Sequence, residues 1–147
     1  MRAIIDTCVI VDALQGREPF CKDAQSILLL CASNQIEGFV TAKAITDIYY
    51  LTHRCTHDDK STRNVISKLI SLLGLVDTTS EDIYNAISSN ISDFEDAVMV
   101  ETAKRSKVDC IVTRNLKDYT KAKITIYSPE QFLEIFTKQH DSCEDEL

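Results

Sequence analysis

The chain has 147 residues, with 16 lysines and arginines against 23 aspartates and glutamates, and a formal net charge of −7. That length suits one domain, which at this size buries roughly 68 to 70% of its unfolded surface and needs no covalent staples. The acidic balance excludes a protein that coats nucleic acid by bulk electrostatics. The N-terminus has no basic leader with a long apolar core, and no run approaches the length of a membrane span, which argues against secretion and membrane insertion.

Ala3-Ile4-Ile5 is too short for a helix and precedes the turn-prone Asp6-Thr7, so it reads as a buried strand ending in a carboxylate. Val9 to Leu14 gives a short helix, stopped by the segment from Gln15 and Gly16 to Pro19. A longer helix follows from Phe20 to Ala32, with Ala24, Ile27, Leu28 and Cys31 at helical spacing. Ile36 to Val40 is a second strand. Thr41 caps a helix reaching about Cys55, and Asp59 or Ser61 opens another that ends near Leu73, ahead of Gly74. Leu75 to Asp77 is a third strand, and Ser80 with Ile83, Ala86 and Ile87 marks a further helix. Asp96 falls in the first turn of a helix that runs through Val98, Val100 and Ala103 to about Lys107. Cys110 to Val112 is a buried strand with polar Thr113, Arg114 and Asn115 at its carboxyl end. Ile124 to Tyr127 is the last strand, and Ser128-Pro129 begins the final helix with proline in its first turn.

This alternation of short apolar runs and helices predicts an α/β fold of three layers, with a central, mostly parallel sheet and helices on both faces. One domain is expected over residues 1–137, followed by a polar, acidic and frayed tail over 138–147. The six cysteines (Cys8, Cys21, Cys31, Cys55, Cys110 and Cys143) show no C-x-x-C or zinc-finger spacing. Several lie in apolar segments where a free thiol acts as a small hydrophobe, which predicts a reducing, cytoplasmic setting.

Open parallel sheets bind ligands outside the carboxyl ends of their strands, so Asp6 and the segment from Thr113 to Asp118 can face one crevice. With Asp47 and Asp96 delivered from helices, four carboxylates reach one rim, a pattern that suggests a divalent metal. Each acid also has a structural reading. Asp6 can accept hydrogen bonds from the following turn, and Asp47 can pair with Lys43 one helical turn earlier, although Ala44, Tyr50 and Leu51 argue against a solvated face there. Ser92 with Glu95, or Asp93 with Asp96, can form a capping pair, and Asn115 and Asp118 can be turn formers.

Three further features stand beside the acids. His53 and His57 are spaced i, i+4 like a zinc pair, against which Asp58-Asp59 reads as the start of a loop. Of Tyr49 and Tyr50, one is expected in the core, while an exposed ring could stack on a planar ligand such as a nucleobase. From Lys104 to Lys123 seven basic residues face two acidic ones, a local excess of five positive charges beside the acidic rim.

Taken together, Ile4-Ile5-Asp6-Thr7, the Asp47 helix, Asp93-Phe94-Glu95-Asp96-Ala97 and Thr113-Arg114-Asn115-Leu116-Lys117-Asp118-Tyr119 resemble the PIN-domain ribonucleases, especially the VapC-like toxins of prokaryotic toxin and antitoxin pairs. The resemblance covers residue 1 to about residue 137, and Pro129-Glu130-Gln131-Phe132-Leu133 looks like the end of many such domains. It implies a metal-dependent endoribonuclease whose catalytic residues are Asp6, Asp47, Asp96 and Asp118. In that picture Asp6, Asp96 and Asp118 hold Mg²⁺ or Mn²⁺, Thr113, Arg114 and Asn115 orient water or phosphate, and Asp93 stands in reserve. It further implies an RNA substrate, products with 5′-phosphate and 3′-hydroxyl ends, a small antitoxin partner and a homodimer. The chain departs from the family pattern at Asp47, commonly glutamate, at Asn115, where many members have aspartate, and at Cys8, usually a small polar residue. The first two departures motivate a second reading, a degenerate PIN module that binds RNA or a protein partner without catalysis. A receiver-type phosphoacceptor domain fits less well, because Asp6 lacks an adjacent acid.

Overall fold

Ala3, Ile4 and Ile5 are all wholly buried, and a strand covered on both faces belongs at the centre of a parallel sheet. In the computed structural model, which describes residues 1–144 and side chains through Ser142, that strand is β1 (Arg2–Ile5). It pairs in parallel with β2 (Glu37–Thr41) on one side and β4 (Cys110–Val112) on the other. β3 (Gly74–Val76) and β5 (Thr125–Tyr127) complete a five-stranded parallel sheet in the order β3-β2-β1-β4-β5. The α/β reading is therefore correct, and the sheet is parallel throughout.

Side chains alternate across the sheet with the strand period of two. Ala3, Ile5, Cys110 and Val112 enter one core with Ile10, Ile27, Ile48, Leu69 and Phe132, whereas Ile4 and Ile111 enter the other with Val100, Ala103 and Tyr119. The first core is covered by α1 (Thr7–Gln15), α2 (Cys21–Ala32), α3 (Ala42–Thr56), α4 (Asp59–Leu72) and α7 (Pro129–Glu144). The second lies under α6 (Phe94–Arg105), against which α5 (Ser80–Ile87) packs. Gly38 in β2 is required by close approach: a Cβ there would lie 2.6 Å from Cys31 Sγ and 2.8 Å from a Leu73 methyl carbon. Among the described residues no helix is long and apolar enough to cross a membrane.

The caps explain most helix boundaries. Thr41 Oγ1 accepts the Ala44 N–H at the start of α3, and Asp58, not Asp59 or Ser61, caps α4 through the Ser61 N–H. His57 adopts a left-handed conformation that ends α3, and His53 stacks on Tyr49, so the two histidines form helix-end structure rather than a zinc pair. Neither tyrosine is in the core: Tyr49 is half-buried and bonded to Asp59, while Tyr50 is 66% exposed. Phe132, Leu133 and Phe136 anchor α7 to the core, and the helix continues to Glu144, into the span read from sequence as a frayed tail. Residues 145–147 of the expected acidic tail lie outside the described residues.

A buried ion pair fastens the loop after β4 to α1. Asp12 is 1% exposed, and Arg114 donates to it from Nε at 2.6 Å and Nη2 at 3.2 Å while its guanidinium lies 4.1 Å from the Phe20 ring centre. Removing Arg114 takes away both close donors and leaves buried Asp12 only Arg17 Nη1 at 4.0 Å. Arg114→Met is expected to lower unfolding free energy by on the order of 3 kcal/mol in urea titration, with partial recovery when Asp12→Asn is added. A single variant within about 0.5 kcal/mol of the parent chain would show that the pair does not fasten this loop.

Candidate active site

The strand order reverses around β1: the chain moves outward through β2 and β3, then returns to place β4 and β5 on the other side. A crevice opens at such a point, outside the carboxyl ends of the strands. Asp6 and Thr113, the residues immediately after β1 and β4, stand there together. The sheet ladder extends one step to join them, since the Asp6 N–H donates to Val112 O at 2.9 Å.

The Asp6 side chain is held from two directions. Its Oδ1 accepts the Thr7 N–H at 2.8 Å as the cap of α1, and its Oδ2 accepts the hydroxyl of fully buried Thr113 at 2.7 Å. Thr113 Oγ1 also receives the Asn115 N–H at 3.1 Å, and the Cys8 thiol lies 3.8 Å from Asp6 Oδ2. Burial raises the Asp6 pKa above the ordinary carboxylate value, only partly offset by these donors.

Asp96 reaches the same crevice from the first turn of α6. Asp93 caps that helix by accepting the Asp96 N–H at 3.0 Å, which settles the capping frame and leaves the Asp96 carboxylate free. That carboxylate accepts the hydroxyl of buried Tyr119 at 3.0 Å. Burial pushes the Asp96 pKa up to about 6; the Tyr119 bond opposes the shift, and the neighbouring charges of Asp93, Asp6 and Asp118 add to it. Burial and the same two crevice acids, Asp6 and Asp96, raise the Tyr119 pKa.

Asp6, Thr7, Thr41, Lys43, Glu95, Asp96 and Tyr119 are among the walls of the crevice, whose free space is about 30 Å³, room for a single water or ion. Lys43 bonds Glu95 at 2.9 Å and approaches Asp47 at 3.7 Å, so it bridges two acids at the mouth. Burial works against its charge, but Glu95 and Asp47 more than compensate and raise its pKa.

The remaining predicted positions are distributed differently. Asp47 is half-exposed on the outer face of α3, because Ala44, Ile48 and Thr52 form the buried stripe, and it meets the crevice only through Lys43. Asp118 lies exposed in a short 3-10 turn, Leu116–Tyr119, and reaches Asp96 through its charge alone. Asn115 opens that turn. Arg114 is committed to Asp12 and does not line the crevice.

Tyr119, Lys43 and Glu95 were not assigned site roles from sequence. The Tyr119–Asp96 bond spans 23 residues, and no local spacing announces it. Lys43 and Glu95 carried local readings, an ion pair and a cap, that concealed their meeting across the mouth.

Asp6 and Asp96 form a hard oxygen donor pair, which suits a divalent cation that keeps several waters. Among the described residues no three His, Cys, Asp or Glu side chains converge as a closed metal cage. The donor set therefore fits an open site using one or two carboxylates, completed by water and by a ligand's own oxygens.

These features define a parallel α/β domain with a carboxylate crevice at its topological switch point. The chain belongs to the PIN domain family, whose sequence profile matches residues 2–117. Solved structures share the fold at low identity. VapBC2 from Rickettsia felis bound to a promoter DNA fragment is 12% identical, with a TM-score of 0.63 over 87% of this chain and 98% of that one. A toxin-antitoxin complex from Klebsiella pneumoniae is 17% identical, with a TM-score of 0.64 over 86% and 97%. FitAcB from Neisseria gonorrhoeae is 15% identical, with a TM-score of 0.64 over 87% and 98%. Among curated proteins, none matches this sequence significantly.

The Asp96 carboxyl titrates from an ordinary value of 3.8 in the unfolded chain and at about 6 in the fold. Between those values the folded state binds more protons, so its contribution makes stability fall as pH rises through that window, with the full penalty above both. In metal-free protein at pH 7.5, Asp96→Asn is therefore expected to stabilise the fold by on the order of 1 kcal/mol after solvent screening, with the gain shrinking toward pH 4. Thermal unfolding across that pH range checks this, and an Asn variant less stable than the parent at pH 7.5 would contradict it.

Proposed function

We propose that this protein is a metal-dependent endoribonuclease that hydrolyses RNA phosphodiester bonds, and the toxin of a toxin-antitoxin pair. The observation that carries the reading is the joint placement of Asp6 and Asp96 in one crevice, each braced by a buried hydroxyl, within a PIN domain. Asp6 and Asp96 would hold Mg²⁺ or Mn²⁺, with Asp118 contributing from the rim. When bound there, the ion would supply positive charge against the phosphate and increase the acidity of a nearby water.

The chain's own groups account for the other requirements. Thr113 and the Thr7 N–H fix the rotation of the Asp6 carboxylate, so its remaining lone pairs keep one direction. Tyr119 engages Asp96 Oδ1, and Oδ2 has no protein donor among the described residues, which leaves that oxygen to take the proton of the attacking water. Water oxygen bonds to phosphorus as the bond to the 3′ oxygen breaks, and the departing oxygen is protonated from solvent. Lys43 lies at the mouth paired with Glu95 and Asp47, and would reach a phosphate oxygen only by exchanging one of those carboxylates for it. Thr113 is a positioning residue here, acting through Asp6, and Asn115 supports Thr113 through its backbone.

The solved relatives described as toxin-antitoxin or VapBC complexes support a small antitoxin partner. A homodimer and a cytoplasmic setting belong to the same reading, the latter supported by free Cys8, Cys21, Cys31, Cys55 and Cys110. The non-catalytic reading rests on the outward position of Asp47 and the neutral side chain of Asn115.

Purified protein given a mixed RNA pool with Mg²⁺ or Mn²⁺ is expected to cleave it. The Asp6→Asn, Asp96→Asn double variant and an EDTA control should lose at least about 100-fold in rate. Millimolar metal should also raise the melting temperature of the parent chain but not of the double variant. Intact folding with no cleavage in any metal would favour the non-catalytic module.

A further inference from the structure

A second cleft, of about 400 Å³, lies on the α5 and α6 side of the sheet, separate from the carboxylate crevice. Its walls come from three segments. The end of α5 and the loop after it contribute Asn85, Ser88, Ser89 and Asn90; α6 contributes Glu101 and Lys104; the strand approach after the 3-10 turn contributes Lys121 and Lys123. Lysines, hydroxyls and amides dominate this lining, in a protein whose net charge is −7.

The lysines are not equivalent. Lys104 is occupied by Glu101, with contacts of 3.3 and 3.4 Å. Lys121 and Lys123 have no carboxylate within ion-pair distance among the described residues, and both are exposed. Among the described residues Glu101 is the one acid lining the cleft and is paired with Lys104, leaving two ammonium groups among neutral donors. That combination suits a phosphodiester backbone, whose oxygens accept hydrogen bonds from lysine, serine and asparagine without regard to base identity.

The cleft is also connected to the acidic site. Val100 lies one helical turn beyond Asp96, and Lys104 lies about 12 Å along α6 from it by helical rise. Tyr119, which bonds Asp96, precedes Lys121 by two residues. α6 and the segment from Tyr119 to Lys123 therefore carry Asp96, its Tyr119 partner and the cleft's lysines.

We infer that the Lys121 and Lys123 cleft is a backbone-binding subsite for single-stranded RNA, seating the strand that the carboxylate crevice cuts. The inference rests on the nuclease reading for the identity of the polyanion. Its ligand is a run of phosphodiesters, and its sequence preference is weak because none of its donors requires a base edge.

The test is fluorescence anisotropy of a short labelled single-stranded RNA in EDTA, where no cleavage intervenes, over a salt series. The full chain is compared with Lys121→Ala, Lys123→Ala and, as controls, Lys60→Ala, Lys68→Ala on α4 and Lys121→Arg, Lys123→Arg. The alanine pair in the cleft should weaken binding about tenfold at low salt and reduce the log-log salt slope by about 1.4, two single-strand phosphate contacts. The α4 pair and the arginine pair should bind as the parent does. Unchanged melting temperatures establish that the comparison is between folded proteins.

Unchanged affinity and slope in the cleft alanine pair would overturn the inference, even if the parent cleaves RNA with Mg²⁺ or Mn²⁺. No RNA binding by the parent at low salt would overturn it as well. Binding that depends on Lys121 and Lys123 in a protein that cleaves nothing would sustain the subsite and remove the nuclease reading instead.

Discussion

Asp6 carries three obligations at once. It ends the central strand, which is covered on both faces, its N–H continues the ladder to β4, and its carboxylate caps α1. A residue so constrained cannot turn its charge out to solvent, as an acid on a surface loop would. The fold therefore holds a negative charge at the switch point and opposes it with the Thr7 N–H, the Thr113 hydroxyl and the positive end of α1. Structural and functional readings of Asp6 do not compete, because a carboxylate has about four lone-pair directions and the cap and the threonine engage only some of them.

The surroundings of the crevice follow from that placement. Asp96, Glu95 and Asp118 add negative charge near a group already raised in pKa, and the available cation, Lys43, sits on Glu95 and Asp47 rather than on Asp6 or Asp96. Elsewhere buried acids are matched: Asp12 by Arg114, and Asp82 by Arg105, whose guanidinium holds that carboxyl below the ordinary range although burial opposes it. The unmatched pair at the switch point is where the chain breaks its own rule, and broken local rules of this kind concentrate at functional sites. An incomplete ligand set is also what a hard cation sharing its shell with a substrate phosphate requires.

The sheet and its connections were legible because burial on both faces writes itself into short apolar runs such as Ala3-Ile4-Ile5 and Cys110-Ile111-Val112, with capping residues between them. Asp6 was legible for the same reason. Asp96 required the structure to decide between two capping frames three residues wide, which local sequence leaves degenerate. Ala44, Tyr50 and Leu51 argue in sequence against a solvated face at Asp47, yet the buried stripe of α3 runs through Ala44, Ile48 and Thr52, with Tyr50 in solvent and Asp47 half-exposed. Arg114 looked available because its partner Asp12 is 102 residues away. The bond from Tyr119 to Asp96 was unreadable on the same ground. Periodicity reports which way a side chain points on its own element, not which distant element it meets.

The charge distribution joins these levels. A chain with a net charge of −7 repels a polyanion at long range, but in physiological salt that repulsion fades over about 8 Å, so the contact is governed by charges at that distance or nearer. Over such distances the protein is not uniformly acidic: Lys121 and Lys123 are free beside a neutralised Glu101, within a few helical turns of the crevice acids. On the proposed reading, a strand in the cleft would meet ammonium groups and neutral donors rather than the acids that predominate in the chain as a whole. A cationic track on an acidic chain would then give positional selectivity that a uniformly basic surface could not supply.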